Sequence, residues 1–187
     1  MAVKANRPVF AALKLLSENE CHGNGIWLKK LKLPEKVIFE TFSGYESKIG
    51  AKIPHDEGCT VKYGGINIIL YSPSWNVKRL NYTLAHELGH ILLCHTKDGA
   101  AEEAEANLFA SALLMPPCVL DAMKERGSLK NARDAARFFG VSVSCAMIAF
   151  ARKPVKTPYD EKVLSAYKNR MDSFGRGAFN LDIFKDV

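Results

Sequence analysis

Apolar positions along the chain change period several times, and each change marks an element. Val9, Ala12, Leu13 and Leu16 recur at steps of three and four, which predicts an amphipathic helix over residues 8–17, ended by His22-Gly-Asn-Gly25. β-prone runs follow at 37–42, 60–63 and 66–71. Gly64-Gly65 separates the last two, and a glycine pair between such runs predicts a two-residue hairpin. From 77 to 95 the pattern is helical, with Leu84, Leu88 and Leu92 on one face and Ala85 and Gly89 small enough for close packing. A second long helix is predicted over 102–114, stopped by Met115-Pro116-Pro117 because proline cannot continue the backbone ladder. Shorter helices are predicted near 119–126, 129–139, 142–152 and 159–171.

Strands in the first half and helices in the second predict an α+β fold: a small, largely antiparallel sheet packed on the helix over 77–95, with a helical C-terminal part. The length of 187 residues suits one core, with 1–117 as its main body and 118–187 as a helical extension packed on it. There is no internal repeat and no low-complexity tract.

Composition narrows this little. Hydrophobic residues at 48% and charged residues at 25% are ordinary for a globular protein. The net charge of +6 favours encounter with acidic partners, but the basic residues are spread thinly and form no block, which reads as a solvated surface. Cys21, Cys59, Cys94, Cys118 and Cys145 are odd in number and include no C-x-x-C pair. Neither a disulfide framework nor a thiolate zinc site is expected, and a reducing compartment fits. Lys14 interrupts the only apolar run near the N-terminus, so the expectation is a cytoplasmic protein with no membrane span.

The chemistry lies in Thr83-Leu-Ala-His86-Glu87-Leu-Gly-His90. Residues four apart share one face of a helix, so the imidazoles of His86 and His90 can converge on one zinc ion per chain while Glu87 lies beside its open position. Neutral imidazoles leave zinc a good Lewis acid, and Glu87 is placed to act as general base and then as general acid toward a leaving amine. A third ligand must come from elsewhere. Cys94 continues the spacing of four, but eight helical residues span about 12 Å, too far to share the ion with His86, so Cys94 is read as a packing residue. Leu93 and Thr96 occupy the places where an extended motif carries glycine and histidine. On the following helix Glu103 is favoured over Glu102 and Glu105, because Asn107 lies four residues further on the same face. Its side-chain oxygen can accept from a ligand histidine and set the tautomer.

Leu80-Asn-Tyr-Thr-Leu-Ala-His-Glu-Leu-Gly-His90, followed by Glu103-Ala-Glu-Ala-Asn-Leu-Phe-Ala110 and Leu113-Leu-Met-Pro116, resembles the signature of the ImmA/IrrE metallopeptidases, over about residues 64–117. The resemblance implies a compact zincin-like fold, a bacterial or phage origin, and cleavage of a helix-turn-helix repressor that relieves repression of a mobile element or stress response. His86, His90 and Glu103 transfer as ligands and Glu87 as the catalytic residue. It also implies a cleft-lining strand that pairs with extended substrate. Ile66 to Tyr71 is the candidate, with Ile68 central to it and an internal strand as the alternative. Tyr82, one turn before His86, either faces the cleft or is a buried aromatic.

Ala136-Arg-Phe-Phe-Gly140-Val-Ser142 has the spacing of a helix-turn-helix turn, but residues 143–151 offer no Arg, Asn, Gln or Lys to read bases. Packing or repressor docking is therefore preferred to direct DNA binding. Two functions remain: a zinc endopeptidase, or a non-catalytic repressor- or DNA-binding module with a structural zinc centre. Retention of Glu87 favours the enzyme, since a structural site needs no base.

Overall fold

A computed structural model describes residues 6–19, 28–54, 57–97 and 99–174. In chain order its elements are α1 (Arg7–Glu18), a 3₁₀ turn (Leu28–Lys30), β1 (Val37–Thr41), α2 (Phe42–Ile49), β2 (Cys59–Tyr63), β3 (Ile66–Tyr71), α3 (Val77–Leu92), α4 (Ala100–Leu114), α5 (Pro117–Glu125), α6 (Ala132–Phe139), α7 (Val143–Phe150) and α8 (Asp160–Ser173). The class is α+β. The predicted break at His22–Gly25 lies outside the described residues.

Gly64 and Gly65 both take positive φ, at 57° and 77°, the backbone a tight two-residue hairpin requires, and β2 pairs antiparallel to β3 from Cys59↔Leu70 to Tyr63↔Ile66. The sheet is nevertheless mixed rather than largely antiparallel. Its order is β1-β3-β2, and β1 lies parallel to β3 from Val37↔Asn67 to Thr41↔Tyr71. The chain leaves β1 directly into α2, a helix the hydrophobic pattern did not announce, re-enters the sheet as β2 running opposite to β1, and the hairpin then turns it into β3 in the original direction. Thr41 caps α2 by accepting from the Gly44 N–H, and Gly50 closes it at φ 67°.

A central position for β3 also corrects an expectation. Both of its edges are occupied, so Ile66, Ile68 and Tyr71 cannot offer main chain to a substrate strand. Tyr71 instead accepts a hydrogen bond from Lys29 Nζ at 2.8 Å. Among the described residues the outer edge of β2 carries no neighbouring strand.

Asn76 caps α3 by accepting from the Arg79 N–H, and the helix then buries Leu80, Leu84, Ala85 and Leu88. It stops at Leu92, three residues short of the predicted end. Cys94 takes φ 54° and is exposed, so it is not the packing residue expected. Left-handed backbone at Cys94 turns the chain back, and the His95 N–H reaches the His90 carbonyl at 3.0 Å.

α3 and α4 pack closely, and Gly89 makes this possible: a Cβ there would stand 3.1 Å from the Ala106 Cα and 3.2 Å from its carbonyl oxygen. Backbone cannot yield as a side chain can. Gly89→Val should therefore lower stability by about 1–3 kcal/mol or more, read as a fall in thermal midpoint, despite valine's better helix propensity. α1 packs on α4, and one buried cluster runs from Val9 through Ile69, Leu88, Phe109 and Phe138 to Met171. The C-terminal helices thus share the core of the metal-site helices. Pro117 opens α5 rather than lying between helices, since its missing N–H and fixed φ suit a first turn. No single helix among the described residues is long and apolar enough to cross a membrane.

Candidate metal centre

The helical repeat places His86 and His90 one turn apart on α3, and the antiparallel α4 brings Glu103 opposite them. His86 Nε2 lies 3.0 Å from His90 Nε2, and the Glu103 carboxylate stands 3.3 Å from the first and 3.2 Å from the second. A tetrahedral ion with bonds of about 2.0–2.1 Å has ligand atoms about 3.3 Å apart. The three spacings fit one such ion, and these residues are the group among those described with donor atoms close enough to share one.

Proton positions agree with that reading. Asn107 Oδ1 sits 3.1 Å from His86 Nδ1, and an acceptor there puts the proton on Nδ1, leaving the Nε2 lone pair facing Glu103. On the other ring, His90 Nδ1 lies 3.1 Å from His95 Nδ1, and His95 Nε2 lies 3.2 Å from Glu105 Oε2. With the carboxylate accepting from His95 Nε2–H, His95 Nδ1 accepts from His90, and the His90 Nε2 lone pair also points inward. Three electron-pair donors then face one another with no proton between them, an arrangement that a cation stabilises.

Sequence reasoning placed His86, His90, Glu103 and Asn107 together, and the structure brings them together. Glu105 does not join the group; it lies behind His95. His95 was missed because its position depends on the reversal at Cys94, and a histidine five residues after a ligand carries no helical signal. Asn107→Ala and His95→Ala should each weaken metal binding at this group about ten- to hundredfold, measured by competition with a chromophoric chelator.

Glu87, next to His86 on α3, is buried, and the Thr60 hydroxyl donates to its Oε2 at 2.7 Å. Thr60 is on β2 and pairs with the buried Ile69, so its side chain points to the α3 side of the sheet. Nothing in the sequence marks this threonine. Burial and then the charge of Glu87 push the neighbouring Cys59 thiol upward in pKa. Tyr82 is half-buried rather than enclosed: its hydroxyl donates to Asn107 Oδ1 at 2.8 Å, its ring lies stacked near His86, and desolvation raises its pKa.

A helix-borne His-Glu-x-x-His pair completed by a glutamate from the next helix, on an α+β scaffold, defines a protein of the metallopeptidase type. More narrowly, the chain belongs to the family of IrrE N-terminal-like domains, a peptidase family whose model matches residues 32–149. The match reaches well beyond 64–117, taking in β1 on one side and α7 on the other. No curated protein matches the chain.

Proposed function

We propose that the protein is a cytoplasmic zinc endopeptidase that cleaves a helix-turn-helix transcriptional repressor and so relieves repression of a mobile element or stress response. The observation that carries the catalytic part is the convergence of His86, His90 and Glu103 at ligand spacing, with Glu87 next to His86 on the same helix. The choice of a repressor rests on the resemblance to the ImmA/IrrE metallopeptidases, with which the family membership agrees.

His86, His90 and Glu103 hold the ion, and Asn107 and His95 fix the two rings from behind. Zinc, when bound, supplies Lewis acidity that polarises the scissile carbonyl and acidifies water. Glu87 accepts the proton of the attacking water and delivers it to the departing amine nitrogen, while the Thr60 hydroxyl holds its carboxylate in place. The outer edge of β2, next to Thr60, takes an extended substrate segment main chain to main chain. That assigns to β2 the role first sought in Ile66–Tyr71. α7 exposes Val143, Met147 and Ile148 rather than polar base-reading residues, which supports protein docking over DNA recognition.

The test is incubation of the zinc-loaded protein with the repressor encoded beside it, followed by mass spectrometry of the products. One discrete cut, blocked by a chelator and restored by zinc, is expected. An intact repressor under those conditions removes the repressor as substrate.

A further inference from the structure

Beyond Tyr82 and Asn107 the groove between α3 and α4 opens into a cleft of about 1130 Å³ whose far wall is α7. That exceeds the roughly 300–1,000 Å³ of a small-molecule pocket and suits a peptide segment. Its lining is mostly apolar, yet among the described residues it includes Lys78, Arg79 and Arg152 and no carboxylate. Arg152 is the informative member. It is partly buried, its Nη2 donates to Ser111 Oγ at 3.3 Å, and the ionisable groups that act on it are Cys145 and Tyr82, neither a carboxylate. Burial lowers its pKa, so the guanidinium pays for desolvation, and among the described residues no carboxylate pairs with it.

Position ties this residue to the metal centre. Along α4, Glu103, Asn107 and Ser111 follow at one-turn steps on one face, so Arg152 at Ser111 stands about 12 Å from the ligand end of the groove. An extended peptide covers that in roughly three or four residues. We infer that Arg152 receives an acidic side chain of the peptide substrate, roughly three or four residues from the bond cut, with the apolar face of α7 around Ile148 packing its neighbours. This assigns a specificity determinant and rests on the peptidase reading. A nucleic-acid occupant fits less well, because a phosphate backbone seeks several exposed cations rather than one guanidinium set among apolar walls.

The test uses the full-length, zinc-loaded Glu87→Gln protein and two pools of fluorescent synthetic peptides. The pools are identical except that one carries Asp or Glu where the other carries Asn or Gln. Anisotropy should show the acidic pool binding about ten- to hundredfold more tightly. Adding Arg152→Met should abolish the difference, whereas Arg152→Lys, which keeps the charge, should retain a preference that a misfolded variant could not show. Equal binding of the pools, no binding of either, or displacement by a single-stranded oligonucleotide overturns the assignment. Incubating the parent protein with the same pools separates the two readings. Cutting without acidic preference keeps the peptidase and removes the role of Arg152; acidic preference in binding with no cutting does the reverse.

Discussion

Replacing Glu87 with glutamine should abolish peptide-bond cleavage while zinc still binds at one ion per chain. The substitution keeps shape and leaves an oxygen to accept from Thr60, so the buried surroundings are preserved. It removes the carboxylate that can take a proton. General base catalysis contributes typically about 10²–10⁴-fold, and here the same group returns the proton to the leaving amine, so the loss should reach at least that range. Single-turnover cleavage and zinc titration on one preparation provide the check. Loss of both together would mean a damaged site rather than a missing base. If the variant regulated its target as well as the parent does, the enzyme reading would give way to a binding module with a structural zinc centre.

The second large effect concerns the glutamates of α4. Glu103→Ala removes one of three protein donors and should weaken zinc binding by more than about a hundredfold, beyond what an outer partner costs. Glu105→Ala should cost no more than about tenfold. Its carboxylate steadies His95, two contacts away from the ion, and its ion pair with Arg7 at 3.8 Å is too exposed to matter much for stability. Chelator competition on both variants decides the matter, and the reverse order of effects would move the ligand to Glu105.

Much of this was legible in the order of residues. His86, His90, Glu103 and Asn107 could be grouped before any coordinates because each lies four residues from its fellow on a helix, and helical spacing is a local property. The Gly64-Gly65 hairpin was legible for the same reason: two residues at positive φ allow few alternatives. Strand order was not local. β1 joins β3 in parallel because β2, entered after α2, runs opposite to β1 and the hairpin reverses the chain once more. β3 therefore takes the centre, and among the described residues β2 keeps the open edge on the side of Thr60 and Glu87.

The sequence by itself therefore determined the grouping of His86, His90, Glu103 and Asn107 and the helices that carry them, through periodicity and residue chemistry. Only the tertiary structure decided which residues stand behind and beside that set. Thr60 reaches Glu87 across a strand pairing, His95 reaches His90 through the reversal at Cys94, and Arg152 meets Ser111 because α7 packs over α4. Each contact depends on how elements distant in the chain bury their apolar faces together. Spacing along one helix carries no trace of that.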